Sequence, residues 1–275
     1  MTWNAADPPE LRRPRPWEYL RAGIRALVLL FCTYFGIVFV IAFNALGRRW
    51  SRAVAHWITC LWGTICLRLC GLRINRIGTP MTQGGAVVTN HSGWIDIFTM
   101  LAADRVYFIS KSEVQSWPVI GPLSRQIGTH YINRRAIEAK QQEQDVRARL
   151  LAGDRLCFFP EGTSTDSRRV LRFRTSLFEA LITPGLAADL WVQPVTLVYS
   201  PPPDQPPEFF GWWATMPLRP HLAAVFAMSA GAVVDVVHHP PLRAADFATR
   251  KDLAAACEAA VRQGMIDRLG GPAQA

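Results

Sequence analysis

Residues 26–46, ALVLLFCTYFGIVFVIAFNAL, carry no charged side chain. As a helix this run would reach about 31 Å, enough to cross a hydrocarbon core. Arg21 and Arg25 precede it and Arg48, Arg49 and Arg52 follow it, so the distribution of positive charge does not fix an orientation. A cleaved secretory leader fits poorly, because the run is too long and arginines directly follow NALG. A second apolar run, residues 53–67, is shorter and ends at Arg68; Trp57 and Trp62 lie in it and Trp50 just before it. That placement suits the membrane interface. Residues 22–71 therefore read as a membrane-associated helical pair, crossing twice or sunk in one leaflet. Residues 1–21, polar and rich in Pro and Arg, read as a poorly ordered tail.

From Leu72 the texture changes to short β-branched and aromatic runs alternating with helical stretches. Residues 72–77, 85–90, 105–110, 129–133, 155–160, 191–200 and 232–237 read as strands. Residues 136–152 and 176–182 read as helices between them, and 244–269 as a surface helix before a small-residue tail. Such alternation predicts an α/β domain over residues 72–243, with a mixed, largely parallel sheet flanked by helices. Residues 200–213 form a proline-rich loop whose FFGWW stretch either dips into a membrane interface or packs beneath the loop.

The formal net charge is +9, and only Lys111, Lys140 and Lys251 among the basic residues are lysines. Arginine's planar fork suits anions such as lipid head groups or phosphorylated substrates. No basic helix interleaved with aromatics and no RNA-binding sheet signature is present, which argues against nucleic acid as partner. The six cysteines contain no CxxC pair and imply reduced thiols and a cytosolic catalytic face. His56 with Cys60, and Cys66 with Cys70, have helical metal-site spacing, but they read as small buried groups in an apolar helix rather than ligands.

Three strand ends carry candidate chemistry. In NHSGWID, positions five apart diverge by roughly 140° on a helix, so His91 and Asp96 can meet only if His91 lies in the turn before it. The strand ending at Thr89 supplies that turn. A carboxylate on one imidazole nitrogen leaves the other as a general base. In FPEGTST, Gly162 allows close backbone approach, while Glu161 and Thr163 offer an acceptor and a hydroxyl. INRR places Arg134 and Arg135 at another strand end, where they suit a phosphate. Pro194 inside VQPVTLVY implies an edge strand or a bulge beside a site. Ligands of open α/β sheets collect beyond the carboxyl ends of strands, so the three turns are expected to converge on one pocket. A serine hydrolase using Ser92 lacks a G-x-S-x-G elbow, and a lipid-binding scaffold is the non-catalytic alternative.

NHSGWID, INRR, FPEGT and VQPVTL, in this order, resemble the four blocks of the glycerolipid acyltransferases, the 1-acylglycerol-3-phosphate acyltransferase type, over about residues 72–200. The resemblance implies transfer of a fatty acyl group from acyl-CoA or acyl-carrier protein to a lysolipid hydroxyl, with no cofactor, metal or acyl-enzyme. It assigns His91 as general base and Asp96 as its orienting partner. Lys111, Arg134 and Arg135 would hold the acceptor phosphate, Glu161, Gly162 and Thr163 would shape the acceptor site, and Pro194 would lie on the donor side. It further implies a bacterial inner-membrane enzyme whose catalytic domain faces the cytoplasm. Two departures stand out. Ser164 replaces an arginine common after EGT, and FRTS replaces the usual lysine and glycine with Arg174 and Ser176. This form is similar to bacterial members acting on other lysolipids, such as lyso-ornithine lipid.

Overall fold

The structure is a computed structural model describing residues 3–271 apart from 5, 47, 117–120, 122–123, 126–127, 133–138 and 184–186. One mixed sheet of eight strands organises it, in the order β1-β7-β6-β2-β5-β3-β4, with β8 also paired to β6. The strands are β1 (Leu72–Ile77), β2 (Gly85–Thr89), β3 (Tyr107–Lys111), β4 (His130–Ile132), β5 (Arg155–Phe158), β6 (Trp191–Ser200), β7 (Ala232–His238) and β8 (Leu242–Arg243). Pairings β1/β7, β2/β5, β2/β6, β3/β5 and β3/β4 are parallel, while β6 runs antiparallel to β7 and β8. The fully buried GAVVT of β2 shows why this strand is central: covered on both faces, it tolerates a continuous apolar run.

Helices cover both faces. On one lie α1 (Pro16–Asn44), α2 (Arg48–Leu69), α3 (Ile95–Ala103) and α5 (Leu218–Ala227), around a core that includes Trp62, Leu67, Phe98, Met100 and Tyr199. On the other lie α4 (Ala139–Leu151) and α6 (Arg250–Leu269), over Val88, Leu156, Phe158 and Phe178. Helix α6 buries Leu253, Cys257, Val261 and Met265, a stripe at four-residue spacing that lies on β6. Its buried face thereby joins the core of the α/β domain, while Lys251, Gln263 and Arg268 stay on the surface. Gly264 permits the close approach, since a Cβ there would fall 2.5 Å from the Thr196 hydroxyl. The Thr249 hydroxyl, accepting from the Lys251 and Asp252 amides, starts the helix, and Gly270 in the left-handed region ends it.

The N-terminal region differs from its expected form. Described residues of this segment are tied to the rest of the chain. Leu11 packs on the main core, and Arg12 pairs with Glu18 through both carboxylate oxygens (2.8 and 3.0 Å). Helix α1 starts at Pro16, is long and apolar enough to cross a membrane, and has almost none of its apolar window buried. Leu20, Leu27, Phe31, Phe35, Val38 and Ile41 are exposed along it. Helix α2 is instead built into the domain through Trp62, Cys66 and Leu67. The two helices are joined by a buried bond from Trp62 Nε1 to Thr33 Oγ1 (2.9 Å). Arg21 and Arg25 donate to the carbonyls of Ala227, Phe226 and Met228 at the end of α5, satisfying terminal groups that a helix cannot pair itself.

Helix α5 was not anticipated from the sequence. Its His221 accepts from Trp94 Nε1 at Nδ1 (2.9 Å) and donates from Nε2 to the Phe209 carbonyl (3.1 Å). Burial holds this imidazole neutral, its pKa lowered to about 4. The unfolded chain, with a histidine near 6.5, binds more protons between these values, so stability falls as pH drops from about 6.5 to 4. The expected loss through this residue is on the order of 3 kcal/mol at the acid end of that window. Denaturant melts between pH 7 and 4 should show a shallower decline for His221→Gln than for wild type; parallel curves would remove His221 as a source.

Pro194 lies neither at a sheet edge nor in a bulge. Strand β6 is interior, and Pro194 is buried opposite Val88 of β2. On the other side, β8 pairs only as far as Val192 and β7 begins at Val195. The missing N–H therefore faces a gap in that ladder, where the Pro194 carbonyl accepts from the His239 amide (3.1 Å). Gln193 fills the same gap, bonding Met81, Thr79 and His239 main-chain groups.

Candidate active site

Strands β2 and β5 are parallel neighbours with Val88 opposite Phe158, so NHSGWID and FPEGT leave the sheet side by side. Asn90 fixes the first turn. Its side chain accepts from the Leu197 amide (2.8 Å) and donates to the Leu197 carbonyl (2.9 Å), continuing the ladder to β6 with an amide in place of backbone. His91 then stands in the turn and Asp96 in the first turn of α3, as the spacing requires. His91 Nδ1 lies 2.7 Å from Asp96 Oδ2.

Asp96 is wholly buried and accepts from four groups. Oδ2 takes the Ser92 amide (2.6 Å), the Gly93 amide (3.0 Å) and His91 Nδ1, while Oδ1 takes the Tyr199 hydroxyl (2.7 Å). Tyr199, at the far end of β6, is also fully buried, and burial next to this carboxylate pushes its phenol well above its ordinary range. A carboxylate so held keeps the imidazole proton on Nδ1 and leaves Nε2 as acceptor. The ring is 23% exposed and stacks on Phe159, centroids 4.1 Å apart. A buried carboxylate orienting a partly exposed imidazole is an arrangement that can serve a general base.

Glu161 grips the other side of His91. Its Oε1 accepts from the His91 amide (3.0 Å) and its Oε2 from the Leu171 amide (3.3 Å). Burial raises its pKa well above the usual carboxylate value, with the two N–H donors opposing that shift. Thr165 completes the clamp: its amide (2.9 Å) and hydroxyl (3.2 Å) donate to the His91 carbonyl. The carboxylate of the EGT turn is thus spent on main-chain groups around His91. In Glu161→Gln an amide NH₂ must face one of two N–H donors, so one bond is lost. The expected result is a fall in kcat of about ten- to a hundredfold, with a stability loss of about 1–3 kcal/mol. Wild-type kcat in that variant would sink this positioning role.

Gly162 has φ +70°, and a Cβ there would lie 3.0 Å from Arg174 Nε. Glycine thereby lets the Arg174 guanidinium lie across the turn. Thr163 Oγ1 accepts from the Trp3 amide (3.2 Å), and the Ser164 hydroxyl donates to the Trp212 carbonyl. Lys111 ends β3, opposite Ile132 of β4. Arg134 and Arg135 lie outside the described residues. Of the three expected turns, those of β2 and β5 meet, while β4 stands two strands beyond β5 at the sheet edge. Of the FFGWW aromatics, Phe209, Phe210 and Trp213 are buried and Trp212 is half-buried, so the stretch packs beneath the loop, against the interfacial alternative. None of the six cysteines is paired in a disulfide, and no cluster of metal-ligating side chains occurs among the described residues.

Sequence reasoning missed Asn90, Thr165 and Tyr199 as parts of the site. A usable signal existed for Tyr199. It is a polar aromatic at the carboxyl end of a strand that runs parallel to β2, four residues past the position opposite Thr89.

Comparison with known proteins agrees with this geometry. Residues 74–198 match the family model described as Acyltransferase. The chain is 45% identical over 97% of its length to the lyso-ornithine lipid O-acyltransferase of Rhodobacter capsulatus, covering 98% of that protein. It is 34% identical to the 1-acyl-sn-glycerol-3-phosphate acyltransferase of Neisseria gonorrhoeae, over 42% of this chain and 46% of that one. Its fold is similar to the crystal structure of the 1-acyl-sn-glycerophosphate (LPA) acyltransferase PlsC from Thermotoga maritima, with a TM-score of 0.64 at 20% identity, covering 90% of this chain and 98% of that one. With the His91–Asp96 pair and the EGT turn assembled at adjoining strand ends, the chain belongs to the glycerolipid acyltransferase family, the lysolipid acyltransferases of the 1-acylglycerol-3-phosphate acyltransferase type.

Proposed function

We propose that this acyltransferase esterifies lyso-ornithine lipid at a membrane surface, with His91 as general base. The observation that carries the acceptor is Ser164. Where many family members place an arginine, this chain has a hydroxyl that bonds the Trp212 carbonyl, so that position presents no guanidinium to a phosphate. The relative aligned over nearly the whole chain acts, by its name, on the same acceptor. The 1-acylglycerol-3-phosphate relatives align over a smaller share of the chain, from 42% to 65%.

The reaction proceeds without an acyl-enzyme. As the acceptor oxygen attacks the thioester carbonyl of acyl-CoA or acyl-carrier protein, its proton passes to His91 Nε2. Asp96 stabilises the resulting imidazolium through Nδ1. The carbon–sulfur bond then breaks, and the departing thiolate recovers the proton from Nε2. A thioester is activated enough that this chemistry needs neither metal nor redox cofactor. Asp96 and Glu161 act through the positioning of His91 rather than by contact with the lysolipid. Lys111, Arg134, Arg135, Gly162 and Thr163 remain the candidates for contact with the lysolipid, and Pro194 acts through the shape of β6.

The exposed apolar face of α1 supports a membrane anchor. Because α2 returns into the catalytic domain, the reading extends to a hairpin seated in the inner-membrane leaflet on the cytoplasmic side. Labelled acyl-CoA and acyl-carrier protein, offered in turn with lyso-ornithine lipid, lysophosphatidic acid and other lysolipids in detergent micelles, test the assignment. Transfer to lyso-ornithine lipid at a kcat/KM about tenfold above the other acceptors is expected; preference for lysophosphatidic acid would overturn it.

A further inference from the structure

We infer that the segment around Trp3 forms the acceptor-side wall of the active site, and that the Trp3 ring helps select the lysolipid head group. The inference rests on the acyltransferase reading above, but not on which lysolipid is used.

Five contacts seat this segment beside the EGT turn. The Trp3 amide donates to Thr163 Oγ1 (3.2 Å), and the Trp3 carbonyl accepts from the Ala214 amide (3.2 Å). Trp213 Nε1 donates to the Ala6 carbonyl (2.8 Å), and the Trp3 and Trp213 rings lie 6.0 Å apart. The Arg169 guanidinium sits 4.7 Å above the Trp3 ring while bonded to Asp166. The segment thus bridges two loops, residues 163–169 and 212–214. Both also hold the general-base turn: Thr165 bonds the His91 carbonyl, and the Trp212 amide bonds the Ser92 carbonyl (2.8 Å).

Backbone strain falls on the same two loops. Among the described residues, the non-glycine positions with positive φ are Ser167 (64°) and Ala214 (51°). Such conformations cost free energy and persist where surrounding structure enforces them, which is commonly at functional sites. Ala214 directs its amide at Trp3, and Ser167 lies two residues before the arginine stacked on it. Trp3 and Ala214 lie outside residues 74–198, the part matched by the family model, while Thr163 and Arg169 lie inside it. An aromatic face with an arginine fixed over it offers both stacking and charge to a polar head group.

Steady-state kinetics of Trp3→Ala and Trp3→Phe, with donor and acceptor varied separately, test this. The main-chain bonds of Trp3 survive both substitutions, so loss of the ring is isolated. In Trp3→Ala the KM of the acceptor that wild type uses should rise about tenfold, with donor KM unchanged within about twofold. The ratio of kcat/KM between two lysolipids with different head groups should shift by at least about fivefold, and Trp3→Phe should restore most of it. An equal fall for every acceptor and for the donor would mean the segment is only a structural strap and would overturn the inference, as would unchanged KM values. Should wild type prefer a lysolipid other than lyso-ornithine lipid, the acceptor assignment fails while the Trp3 effect is read on that lysolipid.

Discussion

His91→Ala should lower acyl transfer by a factor on the order of 10³ while leaving the protein folded, because the proposed general-base role is lost with the imidazole. The structure separates the two consequences. The bonds that hold residue 91 in place run through its main chain, from Glu161 and Thr165, and alanine keeps them. Only the ring is lost, with its stacking on Phe159 and its bond to Asp96. That ring is partly exposed, so stability should change by no more than about 1–2 kcal/mol. Initial rates with labelled donor and the preferred lysolipid, beside a thermal melt, check both halves. Retention of more than a tenth of the wild-type rate would remove His91 as the base.

Asp96→Asn should show both a catalytic and a structural defect. An asparagine whose NH₂ takes the Oδ2 position would face three N–H donors, from His91, Ser92 and Gly93. Turned the other way, it faces the Tyr199 hydroxyl, which must then reverse its donor role. Neither arrangement keeps the charge that stabilises imidazolium as the acceptor proton arrives. A loss in kcat of about 10²–10⁴-fold is expected, with a stability loss of about 1–3 kcal/mol. Tyr199→Phe removes one donor of four and should cost only about five- to tenfold in kcat. Equal defects in the two variants would show that Asp96 acts through packing rather than charge.

Much of this site was legible because its parts are local. The turn before α3 is written in β-branched AVVT followed by Asn-His-Ser-Gly, and the five-residue spacing then requires His91 to precede the helix. The strand ends at Thr89 and Phe158 follow from apolar runs broken by turn residues. What Glu161 touches was not legible. Read alone, FPEGT offers a carboxylate to a substrate, whereas β2/β5 adjacency brings the His91 and Leu171 amides to it first. The FFGWW aromatics failed for a related reason. A surface loop and a loop folded over a core have one composition, and only the packing of Phe209 and Phe210 against Tyr199 and its neighbours separates them.

Alternation of apolar runs determined an α/β domain with strands at nearly their observed positions, and residues 26–46 determined an apolar helix ahead of it. The four blocks determined the family. These depend on side-chain period and turn chemistry, which act over a few residues. Tertiary structure alone decided that Tyr199 would support Asp96 from 103 residues away, that Pro194 would face a gap inside the sheet, and that Trp3 would close against Thr163 from 160 residues away. Each follows from which strand lies beside which and where distant chain segments are carried, and no local periodicity encodes a neighbour that far along the chain.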